Sequence, residues 1–312
     1  MRWLSLLSLL GLLAGFVLAP LTVAAKPAGT ATPQPAAPET LFSAALAPLG
    51  SGEHVAVFSR ATVDPGKTLA LGATAGPALA FVASGSATVT AQTTGARVAS
   101  AAASSTVGQG SSAPLDAGAL LLLDTNATVN LANAGSAPIQ LLNAVFLPAP
   151  SNSASATPSA NPSFTDPVAL STSAIQIVVA RVALTAGATT TDQATGAPTL
   201  VAAESGAVTL TLNPGRLRVL RADGNVEFVA GPAIDPAAVP TLNANDPEDR
   251  EVIEEQGGNT TRVVHGAQVS LGAGDVGLVE PGGSWTATNE VSAPADAFTI
   301  TLAPAAVATP AA

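Results

Sequence analysis

Short apolar runs closed by Gly, Pro or Asn recur along most of the chain, and several alternate apolar and polar residues with a period of two. Phe298, Ile300 and Leu302 interleave with Thr299 and Thr301, which predicts a strand buried on one face. Such runs predict strands at 54–59, 68–71, 78–83, 87–93, 120–123, 128–133 and 139–147. A second series covers 175–184, 199–203, 207–212, 217–220, 276–279, 285–288 and 298–302. Between 207–212 and 217–220, Asn213-Pro214-Gly215 predicts a hairpin, because Pro fixes one dihedral and Gly permits a positive one. No stretch reads as a long amphipathic helix, so the pattern predicts an all-β sandwich or barrel rather than βαβ units.

A Ser/Pro-rich linker at 149–166 separates a first β body at 41–148 from a second at 167–304. A Pro, Ala and Thr lead at 26–40 and a tail at 305–312 flank them. Residues 1–25 join Arg2 to an apolar run from Leu4 to Val17 and a small-residue site at Val23-Ala24-Ala25, the layout of a cleaved export signal. Retention as an anchor is the alternative, since Trp3 to Ala25 is long enough to span a bilayer. The expected location is therefore extracytoplasmic, secreted or in the cell envelope.

The two bodies share a spacing. In the first, Gly66, Gly72, Thr74, Ala78 and Gly85 are followed by Gly118, Asp124, Asn126, Val129 and Asn133. In the second, Gly187, Gln193, Thr195, Thr199 and Gly206 are followed by Gly274, Glu280, Gly282, Trp285 and Asn289, with Pro281 nearby. Each body thus resembles the two conserved motifs of the cupin superfamily in their usual order, and the whole chain is similar to a two-domain bicupin. The resemblance implies an all-β fold of two double-stranded β-helix (jelly-roll) barrels in tandem, related by duplication. The glycines and asparagines fit strand corners, where Gly takes positive dihedrals and Asn ties its own backbone.

Metal-bearing members of that family hold a divalent ion with three histidines and a glutamate pointing into the barrel. The matching positions here are Gly72, Thr74, Ala78 and Val129, then Gln193, Thr195, Thr199 and Trp285, and none is a conventional ligand. The expectation is therefore no metal and no cofactor. Gln193, Thr195, Thr199 and Trp285 could line a small sugar- or amide-binding pocket, or hydrogen-bond among themselves across a filled barrel. His54 and His265 fall outside both motifs and are expected at the surface.

Composition narrows the classes further. With 11 basic against 21 acidic residues and a net charge of −10, the chain lacks the electrostatic footprint of a nucleic-acid binder. It has no cysteine, so no disulfide supports it outside the cell. Its stability must come from apolar burial, and packing of one barrel against the other is the expected way to cover their faces. Homo-oligomerisation stays open. The second body carries an acidic insertion around 222–262, with Asp246, Glu248, Asp249, Glu251, Glu254 and Glu255, which Arg216, Arg218 and Arg221 could pair with. Its carboxylates lack the alternating spacing of a calcium loop. Three functions follow: a noncatalytic exported scaffold or binding protein, a small-molecule or carbohydrate-binding module in the second barrel, or a metal-independent enzyme using the insertion's carboxylates. Nothing in the sequence identifies a catalytic residue.

Overall fold

A computed structural model describes residues 36–149, 163–164, 167–170, 174–213, 215–230, 261–265 and 268–305. The expected export signal, most of the lead and linker, the acidic residues 246–255 and nearly all of the tail lie outside them. The first half forms β1 (Glu39–Ala45), β2 (His54–Val63), β3 (Thr68–Gly72), β4 (Ala78–Ser84), β5 (Ser86–Ala91) and β6 (Ala96–Ala99). It continues with β7 (Ser104–Val107), β8 (Ser112–Asp116), β9 (Leu120–Leu123), β10 (Thr128–Ala132) and β11 (Ile139–Pro148). The second half forms β12 (Val168–Leu170), β13 (Ile175–Leu184), β14 (Gln193–Ala194), β15 (Thr199–Ser205), β16 (Ala207–Leu212) and β17 (Arg216–Leu220). It ends with β18 (Val226–Ala230), β19 (Thr261–His265), β20 (Gln268–Gly272), β21 (Val276–Val279), β22 (Ser284–Thr288) and β23 (Ala295–Pro304).

These strands make four sheets. A four-stranded sheet, β3-β10-β5-β8, closes over a seven-stranded one, β12-β2-β11-β4-β9-β6-β7. An eight-stranded sheet, β1-β13-β23-β15-β21-β17-β18-β19, carries the four-stranded β14-β22-β16-β20 on its other face. The fold is two jelly-roll barrels in tandem, each made of one outer and one inner sheet, and every named pairing is antiparallel except β18 with β19. That parallel pair borders the insertion, where the duplicated pattern ends.

Both faces of the inner sheets are buried, which explains why their strands read as nearly continuous apolar runs. In β9, Leu121 and Leu123 enter the first barrel's interior with Val89, Leu115 and Ile139, while Leu120 and Leu122 point the other way. The second interior gathers Val201, Leu210, Leu217, Leu271 and Trp285. Between the barrels lies a third cluster drawn from both halves, including Phe58, Phe81, Phe146, Ile177, Leu278 and Ile300. Phe81 and Phe298 meet edge to face across it, centroids 5.1 Å apart. At its border Arg60 donates to the carbonyls of Ala222 (2.6 Å) and Gly274 in the other half.

The shared frame has a hydrogen-bond basis. Buried Asn133 donates to the carbonyls of Val63 and Ala137, both at 2.8 Å, and accepts from the Gly135 amide at 2.9 Å. Asn289 repeats this with Leu184 (3.0 Å), Ala293 (2.7 Å) and Val291 (3.0 Å). Gly66, Gly85, Gly118, Gly187, Gly206 and Gly274 all have positive φ. Two of them are also needed for space: a Cβ would meet the Pro138 carbonyl at 3.2 Å from Gly85, and the Pro294 carbonyl at 2.8 Å from Gly206.

Three features differ from the sequence expectation or were invisible to it. The turn at Asn213 and Gly215 closes no hairpin: β16 pairs with β20 and β22, whereas β17 pairs with β18 and β21. Turn residues specify a reversal of the chain, but here the chain crosses from outer to inner sheet as it reverses. His54, expected at the surface, is 5% exposed and its ring Nδ1 lies 3.0 Å from the Gly52 carbonyl. Finally, the halves exchange strands. β1, which straddles the boundary expected at residue 40, pairs with β13, and β12 pairs with β2.

Candidate functional site

Of the four first-barrel positions that would hold a metal in the resembled family, two are buried and two are exposed. Val129 is buried in β10 between Leu71 and Ala91, and Ala78 packs in the same interior. Gly72 and Thr74 are exposed. Apolar side chains fill this barrel, and Val89, Leu115, Leu121, Leu131, Ile139 and Leu141 are all fully buried.

The second barrel is different at its mouth. Gln193, Thr195, Thr199 and Trp285 come together around a cavity of about 240 Å³. One wall is the inner face of the eight-stranded sheet, where strand register sets two rows. Thr40, Ala180 and Thr299 lie side by side across β1, β13 and β23, and Val178, Thr301 and Thr199 form the next row across β13, β23 and β15. The opposite wall is β14 and β22, where Gln193 and Trp285 are paired in register. Pro38 completes the rim.

Hydrogen bonding sorts these polar groups. Thr195 is committed to the frame, its hydroxyl donating to the carbonyls of Gly283 (2.8 Å) and Glu280 (3.1 Å). Thr199 donates to the Ala197 carbonyl at 3.2 Å and its oxygen lies 3.1 Å from that of Thr301. Gln193 points its amide nitrogen at Thr191, with 2.9 Å to the carbonyl and 3.0 Å to the hydroxyl, which leaves its amide oxygen to accept. Trp285 is 2% exposed, and its Nε1 finds no acceptor among the described residues. A buried indole N–H ordinarily has a partner, and this one is enclosed with the Trp285 ring in the interior cluster of the second barrel. The four residues thus stand on both walls of a small recess, Thr199 on one and Gln193 and Trp285 on the other.

Sequence reading missed Thr299, Thr301, Thr40, Pro38, Val178 and Ala180. The signal for two of them was present: Thr299 and Thr301 alternate with Phe298, Ile300 and Leu302, which places them on the opposite face of β23. That face was expected to meet solvent, yet it lines the barrel, and Thr299 is 6% exposed. Thr40 and Pro38 carried no signal, because they reach the site only through the strand exchange.

Among the described residues no ionisable side chain lines the recess. The described lining offers hydroxyl and amide groups that can orient a bound molecule. Among the described residues no group of three or more His, Asp and Glu could hold a metal ion. The acidic residues 246–255, a candidate source of catalytic carboxylates, lie outside the described residues.

The arginines serve the frame. Arg221 bonds Glu227 through Nε (3.0 Å) and Asp275 through Nη1 (2.8 Å), while Asp275 also accepts from the Ala222 and Gly272 amides. Buried Arg218 pairs with Glu280 at 3.3 Å and stands 5.9 Å from the centre of the Phe164 ring. Hydrogen bonds and charge from Glu227 and Asp275 hold the Arg221 guanidinium above its ordinary range despite the desolvation that opposes them. Burial instead lowers the Arg60 guanidinium, against Asp275 and Asp223.

No family model matches the sequence, and no curated protein matches it. Among solved structures the chain is similar to AerE from Microcystis aeruginosa, with 10% identity, a TM-score of 0.44, and coverage of 86% of this chain and 98% of that one. It is similar to procruciferin, an 11S globulin from Brassica napus, with 10% identity, a TM-score of 0.44 and coverage of 85% of each chain. It is also similar to a cupin 2 conserved barrel domain protein from Leptotrichia buccalis, with 7% identity, a TM-score of 0.37, and coverage of 85% of this chain and 91% of that one. The architecture described above rests on the strand topology, not on these likenesses.

Proposed function

We propose that this chain is an exported, noncatalytic protein that binds a small neutral molecule in the mouth of its second barrel, with the first barrel as a structural partner. The observation that carries this reading is the recess itself: about 240 Å³, walled by threonines, a glutamine amide and the Trp285 side chain. Among the described residues a charged ligand would lose hydration there without gaining a counter-charge, so the chemistry favours a hydroxyl- or amide-bearing molecule such as a sugar or polyol. The volume falls below the roughly 300–1,000 Å³ of pockets for drug-sized ligands, which suits a single ring. Export is supported by Arg2, the apolar run and the small-residue site before Lys26.

The test uses a property of the sequence. The chain has two tryptophans and no tyrosine, so the full chain carrying Trp3→Phe reports on Trp285 alone. Neutral monosaccharides, polyols and small amides are titrated beside uronic acids and sugar phosphates while Trp285 emission is followed. A saturable change is expected with a neutral member, and Thr299→Leu, which pushes methyl groups into the recess, is expected to abolish it. Preference for a charged member, a response that survives Thr299→Leu, or no saturable response in the panel overturns the reading.

A further inference from the structure

The walls of the recess differ in how firmly they are held. β13, β23 and β15 each have a strand on both sides, and β13 is joined to β23 over all ten residues of each. β1 has one neighbour, is mostly exposed, and shows a register shift between Thr40 and Phe42. Its C-terminal end is anchored: Leu46 and Leu49 are buried in the cluster between the barrels, and the Leu46 amide donates to the Ile175 carbonyl at 3.0 Å. The other end, which brings Pro38 and Thr40 to the recess, is held more lightly, by a bridge of Ala36 to Thr190 in which the Ala36 amide donates to the Thr189 carbonyl at 3.0 Å and by packing of Ala36 on the second-barrel interior, and Pro38 can donate no hydrogen bond.

An edge strand held more firmly at one end and interrupted by a bulge opens from its weaker end, because fraying there breaks fewer bonds and exposes less apolar area. We propose that β1 is the moving wall of the second-barrel recess: Thr40 and Pro38 complete the binding site, and peeling of β1 from β13 at Glu39–Thr40 opens it. The inference rests on the recess being a binding site, but the movement has its own readout. Ligand would bind the docked form, since only that form offers the Thr40 side of the wall, and binding would in turn hold β1 down.

The chain has no cysteine, so an introduced pair is unique. Glu39 and Arg181 are opposite in register, and opposite residues of an antiparallel pair stand at a Cα separation of about 4.5–5.5 Å, within disulfide reach. Neither lines the recess. In the full chain with Trp3→Phe, Glu39→Cys and Arg181→Cys, acrylamide quenching of Trp285 is compared before and after oxidation, with no ligand present. Quenching is expected to fall on oxidation and return on reduction. Phe42→Ala, which weakens the packing of β1 on the apolar cluster, is expected to raise quenching above that of the parent chain. Equal quenching in the oxidised and reduced forms, or no rise with Phe42→Ala, overturns the moving wall, whereas failure of the ligand panel leaves these two readouts unaffected.

Discussion

Replacing Asn289 with Ala is expected to destabilise the second barrel by about 3 kcal/mol, from about 1 kcal/mol for each of three hydrogen bonds. Asn289 is fully buried, as is Leu184, so the Leu184 carbonyl has no ready access to water once the amide is gone. That orphaned acceptor sets the upper end, about 4 kcal/mol, while rehydration of the exposed Val291 amide sets the lower end, about 2 kcal/mol. Urea unfolding followed by Trp285 emission measures the loss in the same half of the molecule. Asn289→Asp separates the donors from the acceptor: it keeps Oδ1 for Val291 but turns an oxygen toward the carbonyls of Leu184 and Ala293. At neutral pH it should be worse than Ala, and the gap should narrow in acid as the carboxyl gains a proton to donate. Asn133→Ala, read by circular dichroism, should lose a similar amount. A loss below about 1 kcal/mol for Asn289→Ala would refute the claim that buried side-chain hydrogen bonds, rather than strand packing, hold these corners.

Phe298→Ala should cost about 3–5 kcal/mol as a large buried truncation. In a double-mutant cycle with Phe81→Ala the edge-to-face pair should show coupling of about 0.5–1.5 kcal/mol, and strict additivity would contradict the contact between halves. Burial raises the Glu204 carboxyl above its ordinary range, Arg181 works against this and Asp296 adds to it. The folded state therefore holds this proton more tightly than the unfolded chain. Its contribution favours folding in acid and is lost as pH rises through the raised value. Glu204→Gln should accordingly raise the melting temperature near neutral pH and lose that advantage as the pH falls, and a lowered melting temperature at neutral pH would show that the 3.5 Å pair with Arg181 dominates instead.

The parts of this molecule that could be read from its residues are those governed by local rules. Strands such as 78–83 and 139–147 announce themselves because apolar runs bounded by Gly or Pro have few other uses, and the glycine frame was readable because positive φ leaves little choice of residue. What stayed hidden depends on which strand lies beside which. The Asn213 turn looks like a hairpin at the level of four residues, and only the sheet order shows the chain changing layers. β1 has an unremarkable sequence, and its role at the recess follows from pairing with a strand more than a hundred residues away. The polar face of β23 was readable as polar, but not as the inside of a barrel.

The two barrels also show how one frame can carry a filled interior and an open one. β11 and β23 have the same ten-residue length and the same alternation of burial, so Asn143 and Val145 stand where Thr299 and Thr301 stand in the other half. β2 and β13 correspond likewise, placing Val57 opposite Val145 as Val178 is opposite Thr301. In the first barrel Ala78, Val145 and Val129 put apolar side chains there beside the buried Asn143, and Val145 packs onto the interior cluster. In the second, Thr199, Thr301 and Trp285 occupy the equivalent places, and hydroxyls at the wall keep the end from closing by simple apolar packing. Corner glycines and the Asn133 and Asn289 clamps are indifferent to this exchange, because they satisfy backbone groups outside the interior. The frame and the filling are therefore separable. Changes at the mouth of the second barrel should alter what it holds without undoing the fold, whereas changes at either clamp should undo the fold without regard to what is held.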